Sequence, residues 1–354
     1  MFSKRFKHLT PYTPGEQPQN RKYIKLNTNE NPYPPSPLIE EYLKKADIDL
    51  LKLYPDPGSD KLRKTIGEYY NLPASMVFAG NGSDEVLSFC FYAFFDNTNG
   101  HLLFPEHSYS FYPVYCGFYD IPYKRIPLEK DFSISVDSYI EEKNYSGIIF
   151  PNPNAPTGTY LEPSEIKKLM INTRKDRVVI IDEAYIDFGG ESAVEMVNLF
   201  DNLLIVQTFS KSRSLAGLRV GFALGNNELI SALVTVKDSF NSYPLDTLAQ
   251  NAARIAMEDT DHFEHNKTRI IETREFTINK LKSLGWEILP SLANFIFIKK
   301  DNITGKEIYE KLKDKGLLVR YFGHSGIEDF VRITIGKKED MIVLIDLLKT
   351  IGSH

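Results

Sequence analysis

Three short segments of this chain carry side chains that could do chemistry, and each follows an apolar run of strand length. The first is Val178-Val-Ile-Ile-Asp182, with Glu183 directly after it. A carboxylate closing a buried apolar strand is costly unless a cationic partner meets it. One of this acidic pair could instead ligate a metal or cap a helix. The second is Ser210-Lys211, followed by Ser214-Leu-Ala-Gly-Leu-Arg219-Val. A lysine at the mouth of a strand, near a carboxylate, can be a nucleophilic amine or a phosphate ligand. It can also be a solvated loop lysine. Gly217 and Gly221 would permit close backbone approach. The third is Gly80-Asn-Gly-Ser-Asp-Glu85, leading into the apolar run Val86–Phe95. Gly82, Ser83 and Asp84 place free backbone N–H groups at a helix start, where an anion can sit. No Gly-Lys-Ser/Thr follows, so this is not a Walker loop.

The elements that must position these residues follow an alternating pattern. Short apolar runs recur at Met76–Ala79, His101–Phe104, Gly147–Phe150, Val178–Ile181, Leu203–Gln207 and Val220–Leu224, with stretches of helical length between them. Upstream, Pro37–Leu51 and Gly58–Tyr70 read as amphipathic helices. This rhythm predicts an α/β fold with a mostly parallel central sheet flanked by helices. All three chemical segments then lie at the C-terminal ends of strands, where such sheets bind ligands. From about residue 255 the pattern changes. A long helix over Asp259–Leu284 is followed by a strand at Phe295–Ile298, a helix at Thr304–Lys315, strands near Leu317–Arg320 and Phe330–Ile335, and a terminal helix. The expected organisation is an N-terminal arm (1–35), a large domain (36–254) and a smaller α+β domain (255–354). The arm is polar and punctuated by Pro11-Tyr-Thr-Pro-Gly and Asn31-Pro-Tyr-Pro-Pro, which resist both helix and ladder. Such an arm wraps a partner surface or closes over a site.

Composition narrows the class. The chain has 354 residues, 42% of them hydrophobic and 25% charged, which allows a sizeable core and about two domains. The net charge is -5 and no basic stripe occurs, which removes the electrostatic footprint of a nucleic-acid binder. Cys90 and Cys116 lack zinc or disulfide spacing and read as buried thiols of a reducing compartment. Met1–Thr10 has no apolar signal core. The run Val86–Phe95 is far below the ~20 residues of a membrane span. A cytoplasmic protein is expected, with neither nucleic acid nor membrane as a partner.

Taken together, Asn154-Ala-Pro-Thr-Gly158, Asp182-Glu-Ala-Tyr185 and Ser210-Lys211 with Gly217-Leu-Arg219 resemble the fold-type-I aminotransferases in order and spacing. The chain is further similar to the histidinol-phosphate aminotransferase family. That likeness rests on Pro11-Tyr-Thr-Pro-Gly15, Leu26-Asn-Thr-Asn-Glu-Asn-Pro32, Tyr54-Pro-Asp-Pro-Gly58, Gly80-Asn-Gly-Ser-Asp-Glu85 and Val331-Arg-Ile-Thr-Ile-Gly336.

The resemblance implies pyridoxal 5'-phosphate as cofactor and residue roles that can be checked chemically. Lys211 would link to the cofactor aldehyde and carry the substrate's α-proton, and Asp182 would keep the pyridine nitrogen protonated. Tyr185 would donate to the ring oxygen and Tyr109 would stack on the ring. The phosphate would lie on Gly82, Ser83 and Asp84, with Ser210 and Arg219 as side-chain donors. Tyr54 would reach the cofactor phosphate of a neighbouring subunit, which implies a homodimer with shared sites. Arg332 would receive the α-carboxylate of glutamate or 2-oxoglutarate, and Tyr12, Asn29 and Arg320 the substrate phosphate. One departure stands out: the family's usual Asn before Pro-Thr-Gly is Ala155 here, so Asn154 is expected to reach the ring oxygen in its place. The implied activity is ping-pong amino transfer between histidinol phosphate and 2-oxoglutarate. Alternatives are an aromatic-amino-acid aminotransferase or a threonine-phosphate decarboxylase of the same superfamily. A cofactor-sensing regulator would need a DNA-binding domain, for which 35 arm residues are too few.

Overall fold

The structure, a computed structural model, describes residues 2–3, 5–19 and 21–352. The first strand, β1 (Ile24–Lys25), lies in the arm. The central sheet is built from β2 (Val77–Gly80), β3 (His101–Pro105), β4 (Tyr123–Ile126), β5 (Tyr145–Pro151), β6 (Val178–Asp182), β7 (Leu203–Thr208) and β8 (Gly221–Gly225). Its order is β2-β8-β7-β6-β5-β3-β4, and only β8 runs antiparallel to its neighbours. The expected α/β architecture with a mostly parallel sheet is therefore present.

Strand periodicity explains why the inner strands read as unbroken apolar runs. Successive side chains point to opposite faces. Ile148, Phe150, Val179, Ile181 and Ile205 enter the core on one face. Ile149, Ile180, Leu204 and Val206 enter the core on the other. Both faces are covered by helices, so neither tolerates polar alternation. Asp182 is where this pattern stops: it ends β6, level with Pro151 of β5 and Val206 of β7.

Two departures from the sequence reading have local causes. β4 carries no apolar run because it is the sheet edge; Tyr123, Lys124 and Arg125 are exposed and only Ile126 is buried. Charges on an edge strand discourage pairing with another chain. The helix expected over Pro37–Leu51 ends at Lys45, and a separate 3-10 turn, Ile48–Lys52, begins under Asp47, whose side chain accepts from Asp49 N.

The C-terminal part of the chain, expected as a small domain, contains β9 (Glu287–Ile288), β10 (Phe295–Lys299), β11 (Leu317–Leu318), β12 (Arg320–Tyr321) and β13 (Val331–Thr334). Four of them form an antiparallel sheet of order β12-β13-β10-β9, and β11 pairs in parallel with β1. The arm is thus not free along its length. Leu26 and Tyr33 enter the small domain's core beside Phe295 and Ile333. On the other side, Ala256 and Met257 pack into the large domain's core, past residue 254. Asp259 then caps the long helix Thr260–Ser283 through His262 N. Among the described residues no helix is long and apolar enough to cross a membrane.

Candidate active site

A cleft opens where the C-terminal ends of β6 and β7 meet the arm and the small domain. Asp182 forms part of its wall. It is only 4% exposed, and its Oδ2 accepts from Tyr112 Oη at 3.1 Å while Oδ1 accepts from Ala184 N at 3.2 Å. Burial pushes its carboxyl up to about 6, against the lowering effect of those two hydrogen bonds. Desolvation disfavours the charged form, and Lys211, which lowers it only through space, forms no ion pair with Asp182 among the described residues. Glu183 points elsewhere: it accepts from Ser192 Oγ, Ala193 N and Gln207 Nε2, deep beside β7. It is neither a cleft residue nor part of a metal cluster, and no such cluster occurs among the described residues.

Lys211 projects from the loop after β7. Its Nζ donates to Thr28 O at 3.2 Å and lies 5.7 Å from the Tyr185 ring centroid. The loop itself is held from the arm, where Asn31 Nδ2 donates to Lys211 O and Ser212 O, both at 3.1 Å. Ser210 N is satisfied by Thr208 Oγ1.

The third segment opens a helix at the edge of the cleft. Gly82 has φ +78° and opens the helix Gly82–Phe94. A Cβ on Gly82 would stand 2.5 Å from Arg219 Nη2, and one on Gly221 would stand 2.3 Å from Ser83 N. Both positions therefore require glycine. Gly217 does not, since a Cβ there meets open space. Arg219, in the left-handed region at φ +53°, turns its fork inward. Nη1 donates to Ser210 Oγ at 3.3 Å and Nη2 to Asp84 Oδ2 at 2.9 Å. Tyr109 Oη donates to Asp84 Oδ1 at 2.7 Å. Asp84 thus offers a carboxylate to the cleft as well as a backbone N–H.

The remaining expected residues divide. Tyr185 lines the cleft, and its hydroxyl accepts from Asn29 Nδ2 at 3.0 Å. Asn29 Oδ1 accepts from Thr334 Oγ1, so its side chain braces Tyr185 as well as facing the cleft. Tyr12 also lines the cleft, stacked on Phe111 at 4.7 Å. Arg320 is there too, donating to Thr13 O and Pro14 O and so tying the arm across the opening. Arg332 Nη2 donates to Asn27 O at 3.1 Å. Asn154 is not brought in, and Tyr54, expected at a neighbouring subunit's site, does not line this one. Asn154 is fully buried, with its amide nitrogen given to His107 O and Thr157 Oγ1, and Ala155 forms the cleft wall instead. The structure therefore does not place Asn154 where a ring oxygen would be reached. Tyr54 is 82% exposed and stacks on Tyr243, away from this cleft. Sequence reasoning missed Tyr112, Thr28, Asn27 and Asn31, which act here through a hydroxyl, main-chain carbonyls and a carboxamide.

An α/β sheet with an amine, a buried acid and an arginine-flanked helix start at neighbouring strand ends defines a class, and the chain belongs to the aminotransferase class I and II family, which it matches over residues 21–348. Its relatives are more particular. It is 56% identical over 351 residues to the histidinol-phosphate aminotransferase of Syntrophus aciditrophicus, covering 99% of this chain and 97% of the relative. It is 50% identical over 345 residues to the enzyme of the same name from Clostridium botulinum, covering 98% and 96%. The fold matches the crystal structure of histidinol-phosphate aminotransferase from Sinorhizobium meliloti in complex with pyridoxal-5'-phosphate, with a TM-score of 0.89 at 18% identity, over 99% of this chain and 97% of that one.

Proposed function

We propose that this chain is a pyridoxal-phosphate-dependent aminotransferase that moves an amino group from histidinol phosphate to 2-oxoglutarate. The observation that carries the reading is the convergence of Lys211, Asp182 and Arg219 on one cleft from β6, β7 and the loop before β8. The two relatives named histidinol-phosphate aminotransferase support the choice of substrate.

The residues fit this cofactor. Asp182 is a buried acid short of a cation, and a protonated pyridine nitrogen would supply it. The cradle of Ser83 N, Ser210 and Arg219 would hold the phosphate, with two glycines keeping the space clear. When bound, pyridoxal phosphate supplies an aldehyde that takes up the amino group and a ring that accepts an electron pair. Lys211 would hold the cofactor's aldehyde end, and its amine would carry the proton at the substrate's Cα. Thr28 O takes one of its N–H bonds and so fixes the direction of the amine. Asp182 keeps the ring nitrogen protonated, and Tyr112 and Ala184 N hold its carboxylate in place. Tyr185 receives Asn29's N–H on its hydroxyl oxygen, which leaves its own proton free for the ring oxygen. Tyr109 covers the ring face. Arg332 receives the carboxylate of glutamate or 2-oxoglutarate, while Tyr12, Asn29 and Arg320 face the substrate phosphate.

The active unit is a homodimer in this reading. Ile48, Leu51 and Leu53, in the segment leading to Tyr54, are exposed, as is Tyr54 itself, and a second copy would cover them. Tyr54 would then reach the partner's cradle.

Substrate competition tests the proposal. The kcat/KM for histidinol phosphate should exceed that for phenylalanine by about 100-fold or more, because a polar site built for the substrate phosphate is left unfilled by the wrong substrate. Threonine phosphate should release no carbon dioxide. Preference for phenylalanine, or decarboxylation of threonine phosphate, would replace this reading with one of the two related activities.

A further inference from the structure

Among the described residues, three residues that line the cleft each carry a buried side-chain atom with no hydrogen-bond partner: Asn27 Oδ1, Ser108 Oγ and Arg332 Nε; Asn27 also lines a second pocket beside Tyr309 and Arg320. Buried polar groups are rarely left unpaired, so each such atom in a binding cleft asks for a ligand group. Their chemistry differs. A serine hydroxyl can rotate to donate or accept, the arginine Nε–H can only donate, and the carboxamide oxygen of Asn27 can only accept. The arginine donor matches the anions already assigned to Arg332. The Asn27 acceptor matches nothing yet assigned.

Its orientation is fixed rather than adaptable. Asn27 is 3% exposed, and its Nδ2 donates to Glu16 O at 2.8 Å. A carbonyl can only accept, so the amide cannot turn over and Oδ1 must be the free end. The backbone is pinned as well. Asn27 O accepts from Arg332 Nη2, Leu26 O accepts from Thr334 N at 3.0 Å, and Asn29 N donates to Thr334 Oγ1 at 2.9 Å. The next residue, Thr28, holds Lys211 Nζ. The orphaned oxygen therefore belongs to a residue touching Arg332, and the residue after it touches the lysine.

The donors that the reactants themselves could bring to it are few. A carboxylate and a phosphate dianion present only acceptors. The amino group of any donor substrate is consumed in the link at the cofactor aldehyde. 2-Oxoglutarate has no other donor and phenylalanine has none. Histidinol phosphate retains one, the ring N–H of its imidazole. We propose that Asn27 Oδ1 accepts this ring N–H and so selects a nitrogen-bearing ring over a hydrocarbon one. The inference rests on the function proposed above and adds to it a residue that reads the ring rather than the anion.

The test compares histidinol phosphate with phenylalaninol phosphate, which has the same amine and phosphate but no ring N–H. Wild-type holoenzyme should favour histidinol phosphate by about 10- to 100-fold in kcat/KM, the effect of one buried hydrogen bond and the penalty for leaving its acceptor unpaired. In Asn27→Leu, close in size but without the acceptor, the ratio should fall to within about 3-fold of unity, as expected for loss of that bond. Asn27→Ser, which keeps a small polar group but withdraws the oxygen, should do the same if the leucine variant does not fold. A merely structural role would lower both substrates together and leave the ratio intact. That outcome, or a wild-type ratio near unity, overturns the assignment of Asn27. Wild type turning over neither phosphate ester would instead overturn the proposed function, and the assignment with it.

Discussion

Lys211→Ala should abolish the visible absorbance of the lysine-linked cofactor and lower kcat for amino transfer by about 10²- to 10⁴-fold, the scale of a lost acid–base group. The protein should stay folded. Lys211 is only half-buried, and its side chain makes one hydrogen bond, to Thr28 O. Nothing packs on it as a core residue, so the stability cost should stay within about 1 kcal/mol. The cofactor should still bind without a covalent link, because Arg219, Ser210 and Ser83 N remain. Absorbance spectra with steady-state rates check this directly. A variant retaining activity within about 10-fold of wild type would remove Lys211 from the chemistry, since general acid–base groups contribute more than that.

Asp182→Asn should move activity and stability in opposite directions. Without an anion against the ring nitrogen, kcat should fall by about 10³-fold, the size of losing one well-placed electrostatic contact. The cofactor-free protein should become more stable. In the folded state the Asp182 carboxyl titrates at about 6 because burial disfavours its charge, whereas in the unfolded chain it titrates near ~3.9. The native state therefore holds this proton more tightly than the unfolded chain does. The resulting stability is fully present below pH ~4 and is lost as pH rises through about 6. Above pH 7 the loss is about 3 kcal/mol at most, an order-of-magnitude figure. The asparagine variant keeps a neutral side chain at every pH. Its melting temperature should match wild type near pH 4 and exceed it above pH 6, in cofactor-free protein only. Glu183 is also raised, to about 7, but it is present in both proteins and cancels. Parallel melting profiles would show that Asp182 carries no such strain. A carboxylate kept at a cost to the empty protein is a trade of stability for function.

Much of this site was legible in the chain because its chemistry sits on regular elements. An apolar run buried on both faces can end in Asp182 only where the sheet ends, so the strand pattern alone locates the acid. Gly82, Ser83 and Asp84 were found in the same way, as a helix start following a strand. Contacts made by main-chain atoms were not legible: Thr28 O on Lys211 Nζ spans 183 positions and uses no diagnostic side chain. Tyr112 was hidden among neighbouring aromatics, and nothing in the sequence marked it as the one facing Asp182. Asn154 was misplaced because its side-chain direction depends on His107 O, in another loop. Gly221 makes the close backbone approach that its position suggests, whereas Gly217 faces open space; glycine spacing alone does not reveal what lies opposite. β1 was invisible because a two-residue strand has no period, and it forms only against β11.

The half-reaction offers the most direct test. Cofactor-loaded protein should lose the visible band of its lysine-linked cofactor when histidinol phosphate is added alone, and regain it when 2-oxoglutarate follows. A band untouched by histidinol phosphate, in protein that phenylalanine readily discharges, would contradict the proposed substrate.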